Sequence, residues 1–113
     1  MKATQIPEES RAFVYTRDFF RCVRCGQQPR ARQWHHRRSR SVRDDHTHES
    51  CNGVLLCVTC HTWVHQHPFE ARGKGWIVSR DSVPCETPVY AEQHGWVLLD
   101  HEGGVSPAPE QEE

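Results

Sequence analysis

Residues 51–61 read CNGVLLCVTCH. The stretch combines a turn-forming Asn52-Gly53 pair, a short apolar run, a Cys57-x-x-Cys60 pair and a histidine. Val54, Leu55 and Leu56 form a short apolar run that reads as a strand. From Val58 to about Gln66 the pattern suits a helix, stopped by Pro68. The thiol pair therefore falls at a strand-to-helix junction. Two residues between thiolates let both sulfurs reach one ion from a tight turn.

The same spacing occurs upstream, at Cys22-x-x-Cys25, followed by Gly26. Glycine permits the backbone reversal that such a knuckle needs. Two pairs complete a tetrahedral site with no open position, which is the structural kind of zinc site. A knuckle first and a helix start last is the treble-clef plan. The plainer alternatives are four buried free cysteines or a redox pair, and the doubled spacing argues against both. Cys51 and Cys85 fall outside the pattern and read as small, buried or half-buried apolar residues.

A staple is expected on other grounds. The chain has 113 residues, only 35% of them hydrophobic, with a mean hydropathy of −0.81, so one small domain buries little apolar surface. The opening MKATQIPEESR has no apolar core after its lysine, so no signal peptide is expected. No run approaches the roughly 20 apolar residues of a membrane helix. The expected location is the cytoplasm (of a host cell, if the chain is phage-encoded), where cysteines bind metal more often than they pair.

Charge is unevenly spread. Between Phe20 and Arg80 stand eleven Lys or Arg against four acids, whereas after Arg80 there are eight acids and no Lys or Arg. A basic block of this kind attracts phosphate, although a solvated basic face explains charge alone equally well. Around the thiol pairs, acids at Glu8 and Glu9 start a helix predicted to reach about Phe20. Gln33 to His36 reads as a short strand. GWIVSR and GWVLLD, at 75–80 and 95–100, resemble each other and suggest a terminal hairpin or two edge strands. The Gly, Pro, Ser and Glu of 103–113 read as a disordered acidic tail.

Residues 34–40 read WHHRRSR. With Asn52, His61 and His65 they form a second set. His61 and His65 are four apart and share one helix face. Neither is needed by a zinc already held by four thiolates. His46, His48, His67, His94 and His101 read as polar surface residues. Trp34 and Trp63 read as core rather than as base-stacking platforms. Asn52-Gly53 alone reads equally well as a hairpin turn.

CVRCG, WHH and CNGVLLCVTCH together resemble the HNH endonuclease family, in particular the small HNH proteins of tailed bacteriophages with two CxxC pairs. The resemblance covers roughly residues 11–80. It implies a small α+β fold: a ββα-metal, treble-clef-like core with an N-terminal helix, a four-cysteine zinc site and short C-terminal strands. The implied organisation is a flexible N-terminus at 1–10, a nuclease domain at 11–80, a strand extension at 81–102 and the tail. By resemblance His36 is the general base, Asn52 orients it and its loop, and His35 and His61 hold a catalytic divalent metal. Many members have Asp at the place of His35. The colicin nuclease domains have His-His with two helix histidines, which brings His65 in as a third ligand. Three imidazoles suit Zn, Ni, Co or Mn better than Mg, unless His65 faces solvent.

The residues fit phosphodiester hydrolysis. A neutral imidazole is a good base near pH 7. Arg37 and Arg38 are expected to disfavour its protonated form, and Arg37, Arg38 and Arg40 to contact the nucleic-acid backbone. For His35 and His36 to serve one site, a bend or bulge in the strand is expected. The implied function is a metal-dependent DNA endonuclease with little sequence preference. By resemblance, terminase or portal proteins of a genome-packaging apparatus are its partners. The competing readings are a treble-clef module that grips nucleic acid without cutting it, and a protein adapter docking through the acidic tail and Gly-Trp strands.

Overall fold

The computed structural model describes residues 5–28 and 32–111. Residues 1–4 of the expected flexible N-terminus and 112–113 of the expected tail lie outside them. The apolar run of CNGVLLC forms strand β2 (Gly53–Cys57), buried at every position. It pairs antiparallel with β1 (Arg32–His36), with His35 opposite Val54 and His36 opposite Gly53. Continuous burial follows from cover on both faces. Val54 and Leu56 turn towards a core shared with Val64, Trp76 and Val89. Leu55 turns the other way, with Trp34, onto Val14 of helix α1 (Glu8–Arg17).

Helix α2 (Val58–Gln66) follows β2 without a loop, and its first turn is capped by the Cys57 sulfur, which accepts from the Cys60 amide at 3.4 Å. Pro68 ends it and opens the short helix α3 (Pro68–Gly73). Among the described residues no helix is long and apolar enough to cross a membrane.

Helix α1 stops short of Phe20. Arg17 and Asp18 form a buried ion pair, Nε to Oδ1 at 2.7 Å, and Asp18 also accepts the Leu55 amide at 3.1 Å. Phe19 and Phe20 then take φ of 58° and 56°, the left-handed region that ends a helix.

Three further strands, β3 (Val89–Ala91), β4 (Gly95–Leu99) and β5 (Val105–Pro107), make an antiparallel sheet in that order. Val89, Ala91, Val97 and Leu99 join the core that holds Cys22 and Val23. Val23 links the two sheets: its amide donates to the Leu55 carbonyl at 2.9 Å, and its carbonyl accepts from Glu92 at 2.8 Å. The described residues form a small α+β fold of two sheets with four cysteines brought together.

Two expectations for the C-terminal third are corrected. GWIVSR does not pair with GWVLLD. Its Trp76 is buried in the core, and Val78 makes only an isolated parallel bridge to Arg38, while GWVLL is β4 between β3 and β5. The supposed disordered tail contains β5. The Asp100 carboxylate accepts the Glu102 and Gly104 amides at 2.8 and 2.7 Å, which turns the chain back along β4.

Cys51 and Cys85 are also corrected: they form a disulfide, with Cα atoms 5.1 Å apart. It ties the 3-10 turn Ser50–Asn52 to a second one, Pro84–Glu86. Disulfides belong to oxidising surroundings, so the premise of reduced cysteines does not hold for this pair.

Arg37 and Arg38 are corrected as well, because both are buried and committed to the fold. The Arg37 side chain donates to the carbonyls of Gly75, Cys51, Pro84, Thr87 and Pro88 at 2.8 to 3.5 Å. Burial, and then the neighbouring Arg17, push its pKa down to about 9, which leaves it charged at neutral pH. Arg38 donates to the Ser82 carbonyl at 3.1 Å and to Asp44 at 2.6 Å. Neither is placed to meet a phosphate. Replacing Arg37 by Met keeps much of the volume and strands the carbonyls. Urea denaturation should then show a loss of about 3–5 kcal/mol, against about 0.5 kcal/mol or less for exposed Arg43→Met.

Candidate functional site

Cys22 and Cys25 come from the knuckle before β1, Cys57 from the end of β2 and Cys60 from the first turn of α2. Their sulfurs lie within 4.8 Å of one another, Cys25 to Cys57 at 4.0 Å. Burial pushes the Cys22 thiol up, and that of Cys60 up to about 12. Burial acts the same way on Cys57, but hydrogen bonds from the Cys60 amide and the neighbouring thiols outweigh it and the net shift is downward. Four sulfurs so close and so desolvated are a ligand set for a structural metal ion, and soft thiolates in a closed tetrad suit zinc. Arg24 donates to the Cys60 sulfur at 3.3 Å and lies 3.8 Å over the Trp63 ring.

The expected histidines form a second cluster. Side-chain nitrogens of His35, His61 and His65 lie within 4.8 Å of one another. His61 and His65 sit one turn apart on α2, Nε2 to Nε2 at 3.1 Å. His35 is buried, and its Nε2 lies 2.7 Å from the Trp76 carbonyl. A carbonyl only accepts, so Nε2 carries the proton and Nδ1 keeps its lone pair. A backbone carbonyl on the far ring nitrogen commonly orients a metal-binding histidine in this way. Burial, and then His61 and His65, lower the His35 pKa to about 4, opposed by the Trp76 hydrogen bond. Burial, and then His65, also lower His61. These rings are neutral at pH 7, as ligands must be. His65 is exposed yet remains within reach of the other two.

The expected bulge is absent. Pairing runs unbroken through His36, so the rings of His35 and His36 leave opposite faces of β1. An open cleft of about 540 Å³ passes the end of the strand, and both rings line it, with Trp34, Arg40, His61 and His65. Strand β1 stops at His36, so one cleft can reach both faces there.

His36 lies 3.1 Å, Nε2 to Nδ1, from His48. Its pKa is lowered to about 4 by burial, then by Arg40, then by His48. The cationic neighbour that keeps it neutral is thus Arg40, not the expected Arg37 and Arg38. Of the three arginines assigned to nucleic acid, Arg40 is the exposed one that lines the cleft.

Asn52 is fully buried and makes no hairpin turn. Its Oδ1 accepts the Arg38 amide at 2.8 Å, and its Nδ2 donates to the Thr47 carbonyl at 2.9 Å. The side chain therefore pins both ends of the 38–47 loop beside His36. His48, read from sequence as a surface residue, was missed. The segment HTH lies in a loop without periodicity, and only the crowding of histidines around WHH hints at a partner.

Comparison with protein-family models, with curated proteins and with solved structures returned no match.

The cysteine cluster predicts one tightly held zinc per chain by elemental analysis. Cobalt exchanged into it should show the sulfur-to-metal charge-transfer bands of a tetrathiolate, and Cys60→Ser should lose both signals. Stripping the metal with a strong chelator should abolish cooperative thermal unfolding, because a structural zinc contributes on the order of 10 kcal/mol to small domains.

Proposed function

We propose that this chain is a metal-dependent DNA endonuclease with a ββα-metal core of the HNH kind. The observation that carries the reading is the meeting of His35, His61 and His65 at one point, in a cleft shared with a neutral, desolvated His36. A nucleic-acid grip needs none of these four to converge. The four cysteines would hold zinc for the fold.

His35, His61 and His65 would hold a divalent ion, whose chemistry when bound is to neutralise the scissile phosphate and the departing 3′ oxygen. The other steps belong to side chains. In the tautomer where His36 Nε2 donates to His48, Nδ1 holds the free lone pair and takes the proton of the attacking water. His48 steadies the imidazolium that forms, as the orienting group does in hydrolytic triads. Asn52 holds the loop that carries Ser39 and Arg40, and so fixes the cleft around the base. Arg40 meets non-bridging phosphate oxygens at the rim, a contact that positions the backbone without reading sequence. The reading fits the basic middle of the chain.

The test is cleavage of supercoiled plasmid by the zinc-loaded protein with Mg, Mn, Ni or Zn added in turn, and a chelator control. Nicking or linearisation should depend on the added metal. His36→Ala should slow it about 10²–10⁴-fold, and His48→Ala should cost less. Arg40→Ala should raise the protein concentration needed for cleavage. Plasmid left intact by a protein that still retards it in a gel would favour the non-catalytic zinc binding module.

A further inference from the structure

The proposed reaction assigns the cleft's histidines and Arg40, but leaves Trp34 unexplained. Its ring behaves as the sequence suggests, packed with Val14 and Leu55 and only 8% exposed. The indole nitrogen does not. Trp34 Nε1 is buried and has no hydrogen-bond partner among the described residues. The contrast is Trp76, whose Nε1 donates to the Tyr90 carbonyl at 2.7 Å. Folded chains rarely leave a buried donor unused, since water was given up for nothing in return.

The position of the ring says where an acceptor would sit. Trp34 leans along the strand towards the cleft end. It covers Gly53, where an added Cβ would come within 2.2 Å of Cε2, the atom bonded to Nε1. Gly53 is the residue paired with His36, and the Trp34 and His36 rings lie 5.9 Å apart. Trp34 itself lines the cleft. Gly53 is thus glycine for space, its φ of −119° being open to any residue. The space is what lets the indole reach the catalytic end of β1.

We infer that the Trp34 indole N–H is a binding donor for a non-bridging oxygen of a phosphodiester seated in the cleft. The inference rests on reading the cleft as a phosphodiester site. The chemistry is complementary: indole only donates, and a diester's non-bridging oxygens only accept. The donor is uncharged and does not titrate, so it adds no positive charge beside His36. Arg40 holds the same anion from the rim, and Trp34 fixes its depth. Trp34 is a positioning residue that binds substrate, with no part in proton transfer.

The experiment follows the indole N–H resonances of ¹⁵N-labelled, zinc-loaded full chain, with the Trp34 signal assigned by Trp34→Phe. The dinucleotide dTpT is titrated without a second metal, so that nothing is cut, and thymidine serves as the control without phosphate. The Trp34 signal should move downfield saturably with dTpT and stay in place with thymidine. Trp34→Phe, checked for zinc content, should bind dTpT about tenfold more weakly, the value of one good hydrogen bond. A Trp34 signal unmoved at saturating dTpT, or moved equally by thymidine, overturns the inference. A Trp34 shift with dTpT in a protein that leaves plasmid intact upholds it while rejecting the nuclease reading, so the two fail separately.

Discussion

Two buried guanidinium groups hold the segment on which this structure turns. Arg17 donates to the carbonyls of Ser50 and Gly53, and Arg37 donates to that of Cys51 through its side chain and to that of Asn52 through its backbone amide. Four consecutive carbonyls are thereby satisfied by residues from two other parts of the chain. A buried charge is tolerated only where hydrogen bonds replace its water. Arg17 has Asp18 as well, whereas Arg37 relies on carbonyls alone among the described residues. The result is a 50–53 segment held from both sides where a 3-10 turn passes into β2. It presents Asn52 to the 38–47 loop, feeds directly into β2, and carries Cys51 to its disulfide with Cys85.

The two candidate metal centres share this scaffold. Cys60 and His61 are adjacent residues on one helix, so whatever fixes the sulfur cluster also fixes the phase of α2. That phase brings His61 and His65 within reach of His35, although His65 also meets solvent. The β ribbon works as a partition. One face supports the core and His35, the other supports α1, Trp34 and His36. The cleft lies where the ribbon ends, which is why two neighbouring histidines can serve one site without distorting the strand. In the proposed reaction the sulfur centre takes no part in the chemistry and serves it through the helix it anchors.

Much of the architecture could be read from spacing. The doubled CxxC, the apolar VLL and the His61–His65 interval located β2, α2, the sulfur cluster and the histidine trio, because these depend on local geometry with fixed periods. What escaped depends on distant partners. Arg37 and Arg40 look alike in WHHRRSR, yet one is entombed by carbonyls from 51 to 88 and the other is exposed at the cleft. Cys51 and Cys85 carry no motif, and their pairing exists only because two 3-10 turns meet. His48 was lost among loop histidines for the same reason. The terminal sheet was misjudged through composition: Gly103-Gly104 and Pro107 looked like disorder, although a carboxylate at Asp100 supplies the turn that makes β5 possible.

The most direct measurement is metal-edge anomalous diffraction from crystals grown with zinc and soaked in manganese or nickel. The expected result is two separate ions per chain. Zinc should sit among Cys22, Cys25, Cys57 and Cys60. The soaked metal should sit on Nδ1 of His35 and the side chains of His61 and His65, with open positions facing His36. Anomalous signal confined to the cysteines, with the three imidazoles bare at saturating metal, would contradict a catalytic centre here.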